Sequence, residues 1–244
     1  MRNYWKNRIK MKKSLDKVWP IGLIMIYIRG GWEDMKIAVI NETSAGDKNK
    51  DIMAALDVFD HKIFNVGMKK TGGDPELTYI DTGFLGALLL NTKRVDFVIG
   101  WCGTGQGFLN SVMQYPGVFC GHILSPVDAW LFIQINGGNC ISLALNQGYG
   151  WAGDVNLKFI FEKLFSVDPG SGYPEHRKTS QQESREILNN ISQKVHFPFE
   201  VIVEKMDSNI IEKVLKFPGV WDLLDIENIK NDRLRNILAK RHKS

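Results

Sequence analysis

The sequence predicts an α/β fold, a five-stranded parallel sheet with helices on both faces followed by a helical extension at the carboxyl end, and three observations carry that reading. Short runs rich in branched and aromatic apolar residues recur at 36–40, 62–66, 95–99, 117–123 and 139–145. Near-continuous apolar character over so few residues suits strands buried on both faces. Longer segments with helical spacing separate them, and strands alternating with helices build parallel βαβ units. Beyond residue 170 the strand-like runs stop and only helical stretches follow.

Residues 1–34 open basic, with an apolar patch at 21–28 and then Gly30 and Gly31. A secretory signal would begin this way, but the patch is short, Pro20 and Gly22 interrupt it, and no small-residue cleavage site follows. It is also too short to span a bilayer. Because residues 35–40 make a natural first strand, 1–34 is expected to be an extension with no part in the fold. Residues 35–170 then form the sheet domain, and 171–244 a helical tail packing on the body or on a second subunit.

Within the domain, strand 36–40 ends in a polar loop at 41–46, and 51–58 reads as a helix before strand 62–66. A loop rich in glycine and lysine, 67–75, leads to a mostly apolar helix at 77–91, expected to be buried although Gly83 and Gly86 weaken it. Strand 95–99 runs into a glycine turn, and a helix starts at 108–114. After the Pro116 turn comes strand 117–123, then a helix capped by Ser125 with Pro126 in its first turn. Strand 139–145 and an amphipathic helix at 154–165 close the domain. In the tail, 179–195, 209–216 and 221–241 read as helices, with Lys240, Arg241 and Lys243 near the last carboxyl end as the helix dipole favours.

A chain of 244 residues, 44% hydrophobic and 24% charged, is long enough for one sizeable core plus an appendage. Its net charge of +4 hints at nucleic acid until it is divided: residues 1–34 hold eight Lys/Arg against three Asp/Glu, which leaves the rest of the chain at −1. A nearly neutral body argues against a nucleic-acid partner. Cys102, Cys120 and Cys140 are an odd, scattered set without C-x-x-C spacing, which speaks against a disulfide framework or a zinc site and for a reducing cytoplasm.

The densest chemistry lies in Cys102-Gly-Thr-Gly-Gln-Gly107. Gly103, Gly105 and Gly107 let the backbone turn sharply enough for its N–H groups to approach a ligand oxygen, and a helix start adds the positive end of its dipole. The run lacks the Lys-Ser/Thr pair of a nucleotide-triphosphate loop and is one residue too tight for the dinucleotide pattern. Two readings of Cys102 stand: a buried structural cysteine in a close-packed turn, or a thiolate stabilised by the surrounding donors and serving as base or nucleophile. Ligands of parallel sheets bind outside the carboxyl ends of the strands, so loop 41–46 and the cage should gather on one edge.

On Val95-Asp96, Cys102 to Gly107, Pro116-Gly117 and Asn136 to Asn139, the sequence resembles the family of type B ribose-5-phosphate isomerase and the galactose-6-phosphate isomerase subunits over about residues 35–190. The resemblance implies a flavodoxin-like sheet, aldose–ketose isomerisation of a phosphorylated sugar through an enediolate, and no metal or organic cofactor. It makes Cys102 the base on the carbon-bound proton, Gly103, Gly107 and Asn136 the anion hole, and Thr104 the hydroxyl that handles a substrate oxygen proton. Tyr79 falls where the family has an active-site tyrosine. Asn41, Gly105 and Asn139 join the substrate-binding set. The family's Asp-His in the first loop is Asn41-Glu42-Thr43 here, which gives Glu42 the aspartate's work. Its later histidine is Ile135, and an expected arginine is Phe119. Arg177, with His176 beside it, is the phosphate-binding candidate, ahead of Arg185. Family members place the site between subunits, so the resemblance implies a homodimer or tetramer.

Outside the motif, His61, His122 and His196 adjoin apolar stretches and read as structural. Asp128 and Asp154 read as helix-start residues, and the tryptophans as core or interface, with Trp101 placed to shape a pocket beside the thiol. Two other functions compete with the isomerase: a phosphosugar-binding protein that keeps the cage without turnover, and a thiol-based transferase, for which no histidine is visibly placed to activate Cys102.

Overall fold

The computed structural model describes residue 32 and residues 34–243. Five parallel strands form one sheet: β1 (Lys36–Asn41), β2 (Lys62–Asn65), β3 (Phe97–Cys102), β4 (Cys120–Ile123) and β5 (Cys140–Ala144), in the order β2-β1-β3-β5-β4. This is a flavodoxin-like sheet whose last two strands have exchanged places relative to the commonest order. Burial accounts for the exchange. All five residues of β5 are buried, whereas β4 alternates between half-buried and buried, so β4 takes the edge and β5 the interior.

Helices α1 (Asn49–Leu56), α4 (Pro126–Leu131) and α5 (Gly153–Leu164) cover one face, over a core of Ile37, Val39, Ile99, Trp101, Leu143 and their neighbours. Helices α2 (Tyr79–Asn91) and α3 (Gln106–Val112) cover the other, over Ala38, Ile40, Val98 and Cys102. Alternate strand residues point to opposite faces, so Cys102 lies on the α2/α3 side and its neighbour Trp101 on the opposite one. Helix α2 is buried from Asp81 to Leu90, as its apolar sequence requires. A surface helix would leave one face in water; here the second face is covered by the chain after residue 195.

That chain forms α6 (Lys178–Val195), α7 (Phe199–Lys205), α8 (Ser208–Leu215), α9 (Val220–Leu224) and α10 (Asp232–Lys243). Phe199, Val203, Ile211, Leu215 and Leu238 belong to the same apolar cluster as Phe84 and Leu88 of α2. Helix α6 differs. Ile187, Leu188 and Ile191 on it are about half exposed, and Ser192 is its one buried residue.

The expected boundary at residue 35 moves upstream to include Trp32. Its indole is 4% exposed, packs edge-on against Phe97 and Phe165 at 5.1 and 5.0 Å, and donates from Nε1 to the Val167 carbonyl at 2.7 Å. The rest of the extension, residues 1–31 and 33, lies outside the described residues. Against the same cluster sits His61, stacked on Phe59 and edge-on to Phe165, its two ring nitrogens without a partner among the described residues. Burial holds its pKa below the usual histidine value, against the pull of Asp60 and Asp34. Folding therefore favours the neutral ring, and below about pH 6.5 the unfolded chain takes up a proton that the folded one resists. Thermal stability is expected to fall between pH 7.5 and 5.5, and to fall less in His61→Phe; parallel melting curves for the two proteins would overturn this.

Candidate active site

The strand order makes the site. The direction in which strands are added to the sheet reverses between the parallel neighbours β1 and β3, and the loops leaving them open a crevice at the sheet's carboxyl edge. In register, Asn41 pairs with Trp101, so Glu42 and Cys102 are the next residues up each strand. Cys102 is 6% exposed at the end of β3. Gly105 follows with φ +74°, a left-handed conformation at the N-cap of α3 that glycine adopts without strain. Gly107 lies under Tyr79: a Cβ there would approach the Tyr79 ring to 2.9 Å. Loop 41–46 and the cage thus gather on one edge, with Asn41, Glu42, Cys102, Gly103, Thr104, Gly105 and Gly107 on them, and Tyr79 joins them there over Gly107.

Ser44, which sequence reasoning passed over as part of a polar loop, links the two sides. Its hydroxyl donates to Glu42 and accepts from the Gly103 N–H at 3.0 Å, while its carbonyl accepts from Asn146 Nδ2 at 2.9 Å. Glu42 is 5% exposed, and Ser44 is the group through which its carboxylate reaches the cage. Asn41 is fully buried; its Oδ1 accepts from Asn49, and its Nδ2 has no partner among the described residues.

Tyr79 is placed from further away. Helix α2 begins at a capping box in which Thr78 and Asp81 satisfy each other's backbone donors. The buried Asp81 carboxylate also receives Lys213 Nζ of α8 at 2.8 Å. The tail therefore braces the helix start that presents Tyr79, a link no local sequence signal announces. Lys213→Met is expected to lower stability by about 2 kcal/mol, a fall in Tm of roughly 5 °C, measured by thermal denaturation; an unchanged Tm would refute the brace.

Other expected residues lie elsewhere. Asn139 uses its amide in the fold: Oδ1 accepts from Phe119 N–H at 2.9 Å and Nδ2 donates to Gly117 carbonyl at 2.8 Å. Asn136 is exposed at the end of the turn Phe132–Asn136, before β5 begins, and Arg177 is exposed ahead of α6. That turn is knitted to the loop after α5 and to α6, since Arg185 donates to the carbonyls of Ile135 and Gly170 at 2.9 and 3.0 Å. Arg185 is thus spent on backbone. Because Cys102 lies level with Ala144 while Asn136 precedes Cys140, the two ends of β5 stand between them, about 13 Å at about 3.3 Å per residue. One chain does not bring Asn136 or Arg177 to Cys102.

Cys140 is poorly suited to chemistry. It is fully buried, and burial, followed by the neighbouring Cys120 thiol, pushes its pKa well up. Among the described residues no three His, Cys, Asp or Glu are grouped to hold a metal ion, and no helix is long and apolar enough to cross a membrane.

A parallel sheet with a cysteine and a glycine cage at its switch point defines an α/β protein with a candidate site at the sheet's carboxyl edge, and comparison with known proteins gives the family. The Ribose/Galactose Isomerase family model matches residues 37–164. The structure resembles a ribose-5-phosphate isomerase from Vibrio parahaemolyticus with a TM-score of 0.81 and 38% identity, over 86% of this chain and 100% of that one. It resembles a 4-deoxy-L-threo-5-hexosulose-uronate ketol-isomerase, crystallised with a tartrate, with a TM-score of 0.81 and 35% identity over the same shares. Ribose-5-phosphate isomerase B from Clostridium thermocellum shares the fold at 18% identity and a TM-score of 0.56, over 66% of this chain and 100% of that one. No curated protein matches. The chain belongs to the ribose/galactose isomerase family, a family of sugar-phosphate isomerases.

Proposed function

We propose that this protein is an aldose–ketose isomerase of phosphorylated sugars, with Cys102 as base. In the open-chain aldose the Cys102 thiolate takes the proton on C2, leaving an enediolate whose charge rests on O1. The thiol exchanges its proton with solvent in part of the turnovers and delivers a proton to C1, while the O2 proton passes to O1, which gives the ketose. Thr104 and the Glu42–Ser44 pair are the groups within the cage that can carry the oxygen-bound proton. Amides of the cage stabilise the enediolate, a contribution of about 3 kcal/mol per well-aimed donor. The observation that carries the reading is Cys102 at the switch point with Ser44 bridging Glu42 to the Gly103 amide.

The far end of the substrate is supplied by a second copy of the chain. Asn136 and Arg177 face solvent on the opposite sheet edge, and the exposed apolar residues of α6 beside them offer the surface of a homodimer or larger assembly. Arg177 then holds the phosphate. A second reading has support of its own: a uronate carries a carboxylate where a sugar phosphate carries its phosphate, and the 35% identical ketol-isomerase is named for a uronate.

A panel of pentose phosphates, hexose phosphates and uronate ketols, followed by solvent-deuterium incorporation at C1 of the ketose and at C2 of the recovered aldose, tests both. Label and ketose from a sugar phosphate support the first reading, the same from a uronate alone the second, and binding without label from any compound overturns both.

A further inference from the structure

Three successive carbonyls of the cage are tied from one side. The Gly103 carbonyl accepts from Asn146 N–H at 2.8 Å, the Thr104 carbonyl from His122 Nε2 at 3.0 Å, and the Gly105 carbonyl from Ser142 Oγ at 2.6 Å, besides the Leu109 N–H of α3 at 3.1 Å. Ser142 lies in β5, Asn146 just beyond it, and His122 is the register partner of Ser142 in β4. All three ties therefore come from the β4–β5 side. In a trans peptide the N–H points opposite to its carbonyl, so the amides of Thr104, Gly105 and Gln106 are turned away from that side. Among the described residues neither Thr104 nor Gly105 N–H has a protein acceptor. Fixed dipoles with free donors on one side are what a developing oxyanion needs.

Of the three ties, His122 comes from the edge strand and leaves its imidazole no freedom. Nε2 faces a carbonyl, which only accepts, so that nitrogen carries the hydrogen and Nδ1 accepts from Gln106 Nε2 at 3.3 Å. The ring fills the space a Cβ on Gly105 would take, 2.6 Å from Nε2. Sequence reasoning set His122 aside as structural, and its neighbours Gly121 and Ile123 explain why.

We propose that His122 is a positioning residue of the isomerase: by holding the Thr104 carbonyl it aims the Gly105 N–H at the substrate oxygen that becomes negative. The inference rests on the isomerase reading above. It concerns the histidine of this chain at β4, which holds the backbone of Thr104 and itself transfers no proton.

The test compares full-length wild type, His122→Phe, which keeps the ring and loses the donor, and His122→Gln, which keeps an N–H at similar reach. The substrate is whichever compound of the panel the wild type converts. His122→Phe is expected to lower kcat at least about 10-fold, with KM within about 2-fold, because the donor matters most when charge develops. His122→Gln regains most of the loss at a similar Tm. Wild-type kcat in His122→Phe, an equal loss in both variants, or a change confined to KM overturns the proposal. Should the Phe variant fail to fold, His122→Met, also without a donor, takes its place. A wild type inert to the whole panel overturns the isomerase reading and this one together; an active wild type beside an unaffected Phe variant overturns this one alone.

Discussion

Replacing Cys102 by alanine is expected to slow solvent-deuterium exchange at C2 by about 10²–10⁴-fold, the usual contribution of a positioned general base. Binding of a non-reacting substrate analogue should change little, because removing one sulfur leaves the cage amides in place. Cys102→Ser should be nearly as slow, since a hydroxyl at this position holds its proton far more tightly than a thiol. The side chain is 6% exposed at the last position of β3, so the truncation opens little space and the fold should survive. Exchange at the wild-type rate in Cys102→Ala would move the base elsewhere, with Glu42, joined to the cage through Ser44, the first residue to test.

Gly105→Ala is expected to cost both stability and turnover. The position has φ +74°, where a β-carbon strains the backbone by about 1–2 kcal/mol. The added carbon would also lie 2.6 Å from His122 Nε2 and 3.1 Å from the Leu143 carbonyl. Leu143 is held in β5 by β3 on one side and β4 on the other, so the carbonyl cannot retreat and the imidazole must. Displacing it releases the Thr104 carbonyl and the amides that depend on it. A loss of about 1–3 kcal/mol in stability and of about 100-fold in kcat is expected, read by denaturant unfolding and by the isomerase assay. A variant with wild-type kcat would show that the amides of the cage do not need this geometry.

Much of the sheet domain is legible in the sequence because strands buried on both faces must be apolar throughout, and Phe97 to Cys102 or Cys140 to Ala144 have few other uses. The glycine cage is legible for a related reason: three glycines in five residues after a strand serve close backbone approach. Gly107 under Tyr79 fits that expectation. Trp32 was not legible, since a single aromatic in a basic segment gives no period, and its partners Phe97 and Phe165 lie 65 and 133 residues downstream. Asn139 illustrates the converse error. An asparagine beside a family motif draws a substrate role, yet its amide closes the turn before β4.

By itself, then, the amino-acid order determined the alternation of elements, the burial of α2 and the grouping of Cys102 with its glycines, because hydrophobic period and backbone freedom are local properties. Tertiary structure alone decided that β5 lies between β3 and β4, that Ser44 spans from Glu42 to Gly103, that Lys213 braces the start of α2, and that His122 reaches the Thr104 carbonyl. It also set Asn136 and Arg177 on the edge away from Cys102. Each of these joins groups on different elements, and which strand neighbours which is fixed by how two apolar faces are covered at once, a property of the assembled layers rather than of any segment.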